Sequence, residues 1–141
     1  MTIVKRIVCL ANSRKLSGRC IAGKEMVRGR VVGWARPVSA RPHEEVSEYE
    51  RQYENGGDPQ VLDVIDVPLR AARPKGYQQE NWLLDKKWYW VKVGRIRRDR
   101  LRRFTDHLAM SHWPDRVREK CKTDKSLAIA HNLEQLYDEN N

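Results

Sequence analysis

The stretch IVKRIVCLANSRKLSGRCIAGKEMVRGRVVGWARPV, residues 3–38, decides the fold class. Its opening, with Ile3, Val4, Ile7, Val8 and Leu10 interrupted by Lys5-Arg6, predicts a first strand over 3–10 with one partly wet face. Asn12 to Gly18 is turn chemistry, with Arg14 and Lys15 at the tip. A second strand is expected over 19–27, where Cys20, Ala22 and Lys24 alternate with Ile21 and Gly23. Gly29 makes a break, and 30–38 reads as a third strand carrying Val31, Val32 and Trp34 and stopped by Pro37. Three short strands on tight turns favour an antiparallel meander.

Beyond the meander the period changes. Val46, Tyr49 and Tyr53 fall on one helical face among Glu44, Glu45, Glu48 and Glu50, which predicts a helix over 43–55 ended by Asn55-Gly56-Gly57. Strand character returns at 61–69, a polar loop is expected over 70–81, and WYWVKVGRI at 88–96 is the strongest strand pattern. Helical spacing then places Leu101, Phe104 and Leu108 on one face of a segment from 97 to 110, and Ile129, Leu133 and Leu136 on another from 126 to 137. Three strands, a helix and two strands is the element order of a five-stranded OB-like Greek-key barrel. A PUA-like or SH3-like barrel needs much the same elements. The expected fold is therefore mainly β with α, a barrel over 1–96 followed by C-terminal helices, a helical extension over 97–141.

Charge is segregated along the chain. The 141 residues carry 28 Lys plus Arg against 19 Asp plus Glu, a net of +9. Residues 1–42 hold ten bases and one acid, 43–66 one base and eight acids, and 67–125 seventeen bases and seven acids. A basic body with one acidic insertion favours a polyanion partner. No apolar run is long enough for a membrane helix, so no membrane partner is expected. Cys9, Cys20 and Cys121 are odd in number and widely spaced, which reads as free thiols in a cytoplasmic protein. Neither they nor the four His show metal-ligand spacing, so no metal and no cofactor are expected.

The run Val8-Cys9-Leu10-Ala11-Asn12-Ser13-Arg14-Lys15, followed by Gly18-Arg19-Cys20-Ile21-Ala22-Gly23-Lys24-Glu25, resembles the prokaryotic dual OB-fold domain family. So do Gly33-Trp34-Ala35-Arg36-Pro37-Val38-Ser39, Leu62-Asp63-Val64 and Glu80-Asn81-Trp82. The resemblance spans roughly residues 4–96. It implies an OB-type barrel that binds nucleic acid, in a family whose members are thought to act in prokaryotic defence or conflict systems. The stretch after Ile96 departs from the pattern, so the chain reads as a short or truncated member.

The residue types of an OB nucleic-acid groove, cations that track phosphates and rings on which bases stack, are interleaved here. The candidate binding residues are Arg14 and Lys15 at the first turn, and Arg28, Arg30, Trp34 and Arg36 on and around the third strand. To these are added Trp88, Lys92 and Arg95 on the last strand, and Arg98 and Arg102 in the arginine-rich segment that follows. On a regular strand Trp88, Trp90 and Lys92 share one face, with Tyr89, Val91 and Val93 on the core side. Each Trp also suits a core or lid position. The acidic segment is an ordinary exposed helix, a repelling surface or an internal mimic of nucleic acid. No nucleophile-base pairing, phosphate loop or dinucleotide turn is present, so no enzymatic activity is expected. The main alternative is a protein-interaction adaptor whose basic surface docks an acidic partner. A small-ligand pocket near Trp34 is a third reading, and nothing in the sequence sets the oligomeric state or distinguishes RNA from DNA.

Overall fold

A computed structural model of the chain describes residues 1–104. Its first strand, β1 (Ile3–Lys15), runs well past the end expected at Leu10. The turn residues Asn12 to Arg14 are held in strand by pairing with Ile21, Cys20 and Arg19 of β2 (Gly18–Val27). Tertiary pairing thus overrides their local preference for a turn. A bulge between Cys9 and Ala11 bends β1, so its first half lies against β4 (Asp63–Ala72) while its pairing with β2 runs from Ile7 to Lys15. Arg28 and Gly29, at φ 53° and 77°, form the two-residue turn from β2 to β3 (Arg30–Val38). Positive φ at both positions suits the twist of a tight hairpin.

The segment expected as a helix over 43–55 contains a single turn, α1 (Glu48–Arg51), closed at its start by a Ser47/Glu50 capping box. Val46 instead bridges to Arg19, and Tyr53 enters the core, while Tyr49 faces solvent. The helical spacing of these three residues is fortuitous. Arg51, buried, ties the turn down by donating to Asp58 at 2.6 Å and to the Val46 carbonyl at 3.0 Å.

Part of the expected loop is strand. β4 extends to Ala72, and β5 (Asn81–Leu84) pairs antiparallel with β4 and parallel with β3. The strands therefore close in the order β1-β2-β3-β5-β4 and back to β1, an OB-like barrel that leaves β1 no free edge. The last strand, β6 (Val91–Arg95), lies outside this ring and adds to β4 beside β5. WYWVKVGRI thus does not supply the fifth barrel strand, and only its second half is strand. The barrel core gathers Ile7, Cys9, Ile21, Ile65, Val67 and Trp90.

The chain divides into two units, Met1–Ile96 and Arg97–Asn141. In the second, Arg98–Phe104 forms a 3-10 helix with Leu101 and Phe104 buried. The remainder of the helix expected over 97–110, and the one expected over 126–137, lie outside the described residues.

Two core groups make stability depend on alkaline pH. Burial pushes the Cys9 thiol up to about 12, and burial plus donation to Asp63 raises the Tyr53 phenol well above its ordinary value. Both release protons more readily unfolded than folded. Their contribution is full below about pH 9 and declines as pH rises toward 12, by on the order of 4 kcal/mol for the thiol. The urea midpoint is expected to fall steadily from pH 9 to 11, and less steeply in Cys9→Ala. A flat profile in the unaltered protein contradicts the assignment.

Candidate nucleic-acid interface

The cations expected to act together are separated by the fold. Arg14 and Lys15 sit at the end of the β1–β2 hairpin, whereas Arg28, in the β2–β3 turn, and Arg30, just after it, lie at the other end of β2. Ten residues of strand put about 30 Å between these ends. The first end is also where the acidic segment is fastened. Arg41 Nη2 donates to Ser17 Oγ at 3.1 Å and lies 3.0 Å from Glu45, while Lys75 is 3.2 Å from Glu44.

The third-strand candidates diverge. Arg36 is 5% exposed, its backbone N–H donating to Glu80, because its place opposite Asn81 in the β3–β5 pairing takes it inside. It is not a surface phosphate contact. Trp34 is half-buried, with Lys24 Nζ 5.0 Å from its ring centroid and Lys24 itself buried. One of the two ring faces is thus occupied by a cation.

The last-strand candidates also part company. Trp88 is 61% exposed, in the turn before β6, while Trp90 is wholly buried, its backbone N–H donating to the Gln52 carbonyl. Tyr89, Val91 and Val93, expected in the core, face solvent instead. Lys92 and Arg95 turn to Asp63 Oδ1, at 3.4 and 3.1 Å, and so neutralise a buried carboxylate before any phosphate. Asp63 also accepts from Tyr53 Oη at 2.7 Å and the Gln60 N–H at 3.1 Å. Arg98 and Arg102 are exposed on the 3-10 helix of the second unit.

Two of the expected residues, Arg28 and Trp88, stand at opposite ends of one trough. A depression of ≈ 480 Å³ runs from Arg28 and Gly29 past Met26 to Lys5 and Arg6. A second, of ≈ 420 Å³ and mostly apolar, is walled by Pro68, Trp88, Tyr89 and Val91. Val4 and Asp66 line both, so the two adjoin. The trough crosses β2, β1, β4 and β6 in turn, a width of about 14 Å at ordinary strand spacing. Its acids are matched: Lys5 to Glu25 at 2.9 Å, and Arg6 to Asp66 through two bonds of 2.8 and 3.1 Å. Exposed Lys86 and Lys87 precede Trp88. Lys5, Arg6 and Tyr89 were not among the expected site residues, although the Lys5-Arg6 break in an apolar run already marked a wet face.

Among the described residues, no helix is long and apolar enough to cross a membrane, and no group of three or more His, Cys, Asp or Glu is arranged to hold a metal. The fold and this trough define a small OB-like barrel with an aromatic and cationic outer surface. A family model described as the dual OB-containing domain matches residues 5–137, and the chain belongs to that family. The match runs beyond Ile96, so the family pattern includes the stretch expected to depart from it. No curated protein and no solved structure matches the chain.

Proposed function

We propose that this barrel binds single-stranded nucleic acid across the trough from Arg28 to Trp88, without catalysing a reaction. The observation that carries the reading is the adjacency of the two depressions across the shared Val4 and Asp66, which sets Arg28 of the β2–β3 turn and two exposed rings along neighbouring hollows. Arg28, Arg30, Lys86 and Lys87 meet phosphates, and Trp88 and Tyr89 offer faces to bases. Stacking on such a ring is worth about 1–3 kcal/mol per base. Membership of an OB-containing family supports the same class of ligand. A role in prokaryotic defence rests on the resemblance alone, and a cytoplasmic setting on the free, buried thiols of Cys9 and Cys20.

The test is fluorescence anisotropy with labelled ten-nucleotide DNA and RNA between 50 and 200 mM salt. Four such phosphate contacts give a log–log salt slope of roughly −3. Trp88→Ala is expected to weaken binding by about tenfold or more, and Arg28→Glu with Arg30→Glu to flatten the salt slope. Undiminished binding by both variants would falsify the placement. An acidic peptide that binds as tightly as the oligonucleotides favours the adaptor reading instead.

A further inference from the structure

Strands β1 and β2 part at one end of the sheet. Their pairing stops where Ile7 faces Glu25; beyond it Val4–Arg6 stay with β4, while Met26 and Val27 pair with β3. The ≈ 480 Å³ hollow is the wedge between these two arms, lined by Arg6 from one and Arg28 from the other. Both of its acids are already bonded, Glu25 to Lys5 and Asp66 to Arg6. Lys5 is further committed, its Nζ 4.3 Å from the centre of the Trp82 ring. Arg6 meets Asp66 side-on, Nε to Oδ1 and Nη2 to Oδ2, because the two residues stand opposite each other in the β1–β4 pairing. This contact fixes the plane of the guanidinium and engages two of its five N–H groups, leaving both on Nη1 and one on Nη2. Arg28 is exposed and, among the described residues, has no carboxylate partner. The wedge therefore presents two guanidiniums and no unmatched acid.

We propose that this wedge seats the terminal phosphomonoester of an oligonucleotide, gripped by Arg6 from one arm and Arg28 from the other. The inference rests on the single-strand reading above and adds which part of the strand these cations hold. Strand pairing shuts the wedge at Ile7 and Glu25, so a chain end fits it better than a backbone that must both enter and leave. A phosphomonoester brings a charge of about −1.5 to −2 and three free oxygens, well matched to planar guanidinium forks. An internal phosphodiester offers a single charge and only two free oxygens. With its end seated here, the strand passes over Val4 and Asp66 into the apolar hollow, where Trp88 and Tyr89 receive its bases.

The experiment uses the full chain and thymidine heptamers labelled on a central base, bearing a 5′-phosphate, a 3′-phosphate or neither. An unphosphorylated nonamer of matched total charge is the control for general attraction. The heptamer phosphorylated at the seated end is expected to bind about tenfold tighter than the unphosphorylated one, as charge-assisted hydrogen bonds imply. It is also expected to bind tighter than the nonamer, and the end that gains gives the direction of the strand. Arg6→Gln and Arg28→Gln, each checked for an unchanged melting curve, are expected to remove the gain, read as the ratio of phosphorylated to unphosphorylated affinity. Equal affinities with and without the phosphate, a nonamer as tight as the phosphorylated heptamer, or a gain that survives either substitution overturns the proposal. Failure of every oligonucleotide to bind at low salt instead overturns the single-strand reading beneath it.

Discussion

A Gly23→Ala protein is expected to lose its cooperative fold. Gly23 faces Cys9 across the β1–β2 pairing, and a Cβ there would sit 2.1 Å from the Val8 carbonyl oxygen and 2.9 Å from its carbon. Both are backbone atoms, so no side chain can rotate away and the strands themselves must separate. Overpacking that side chains absorb costs about 1–3 kcal/mol. A backbone collision inside a closed ring exceeds that, against a total stability of about 5–15 kcal/mol for a domain of this kind. Gly94→Ala is the control, since a Cβ at Gly94 meets nothing within 4 Å. Its urea midpoint is expected to stay within about 0.5 kcal/mol of the unaltered protein. Similar midpoints for the two variants contradict the close approach.

Removing the carboxylate of Asp63 is the second large effect. Asp63 is 1% exposed and receives Tyr53, the Gln60 N–H, Arg95 and Lys92. Asp63→Ala leaves a buried phenol and a backbone donor without an acceptor and frees the clamp between β4 and β6. The expected loss is about 3–5 kcal/mol in urea unfolding, the cost of breaking a buried charged network from its centre. Arg95→Ala removes one half-exposed donor of several and is expected to cost about 1 kcal/mol. Equal losses from the two variants contradict the central role of Asp63.

How far the sequence reached follows from which interactions are local. The meander over 3–38 was legible because β-branched residues and tight-turn signals lie within each strand and hairpin. β5 was not, because four residues, Asn81 to Leu84, are too few to show a period, and their strand state comes from β3 and β4. The faces assigned to Trp88 and Trp90 failed for a similar reason. Trp88 lies in the turn before the strand, and Trp90 is drawn inward by pairing with the distant Gln52–Tyr53 segment. Arg36 looks like any cation on an outer face until Asn81 is set beside it. Of the candidate site, the types were readable and Arg28 and Trp88 were named. Their junction through Val4 and Asp66 depends on ring closure, which no local pattern encodes.

Strand β1 has neighbours that become available at very different moments of synthesis. β2 follows it from the ribosome at once, but the residues that close against Ile3–Val8 are Val64–Leu69, roughly sixty positions later. Until they emerge, one margin of the nascent sheet is an open row of amides and carbonyls able to recruit another chain. Lys5 and Arg6 stand on that margin, and like-charged neighbours repel there. Before they take part in any ligand site, these two side chains guard the unfinished protein against its own copies.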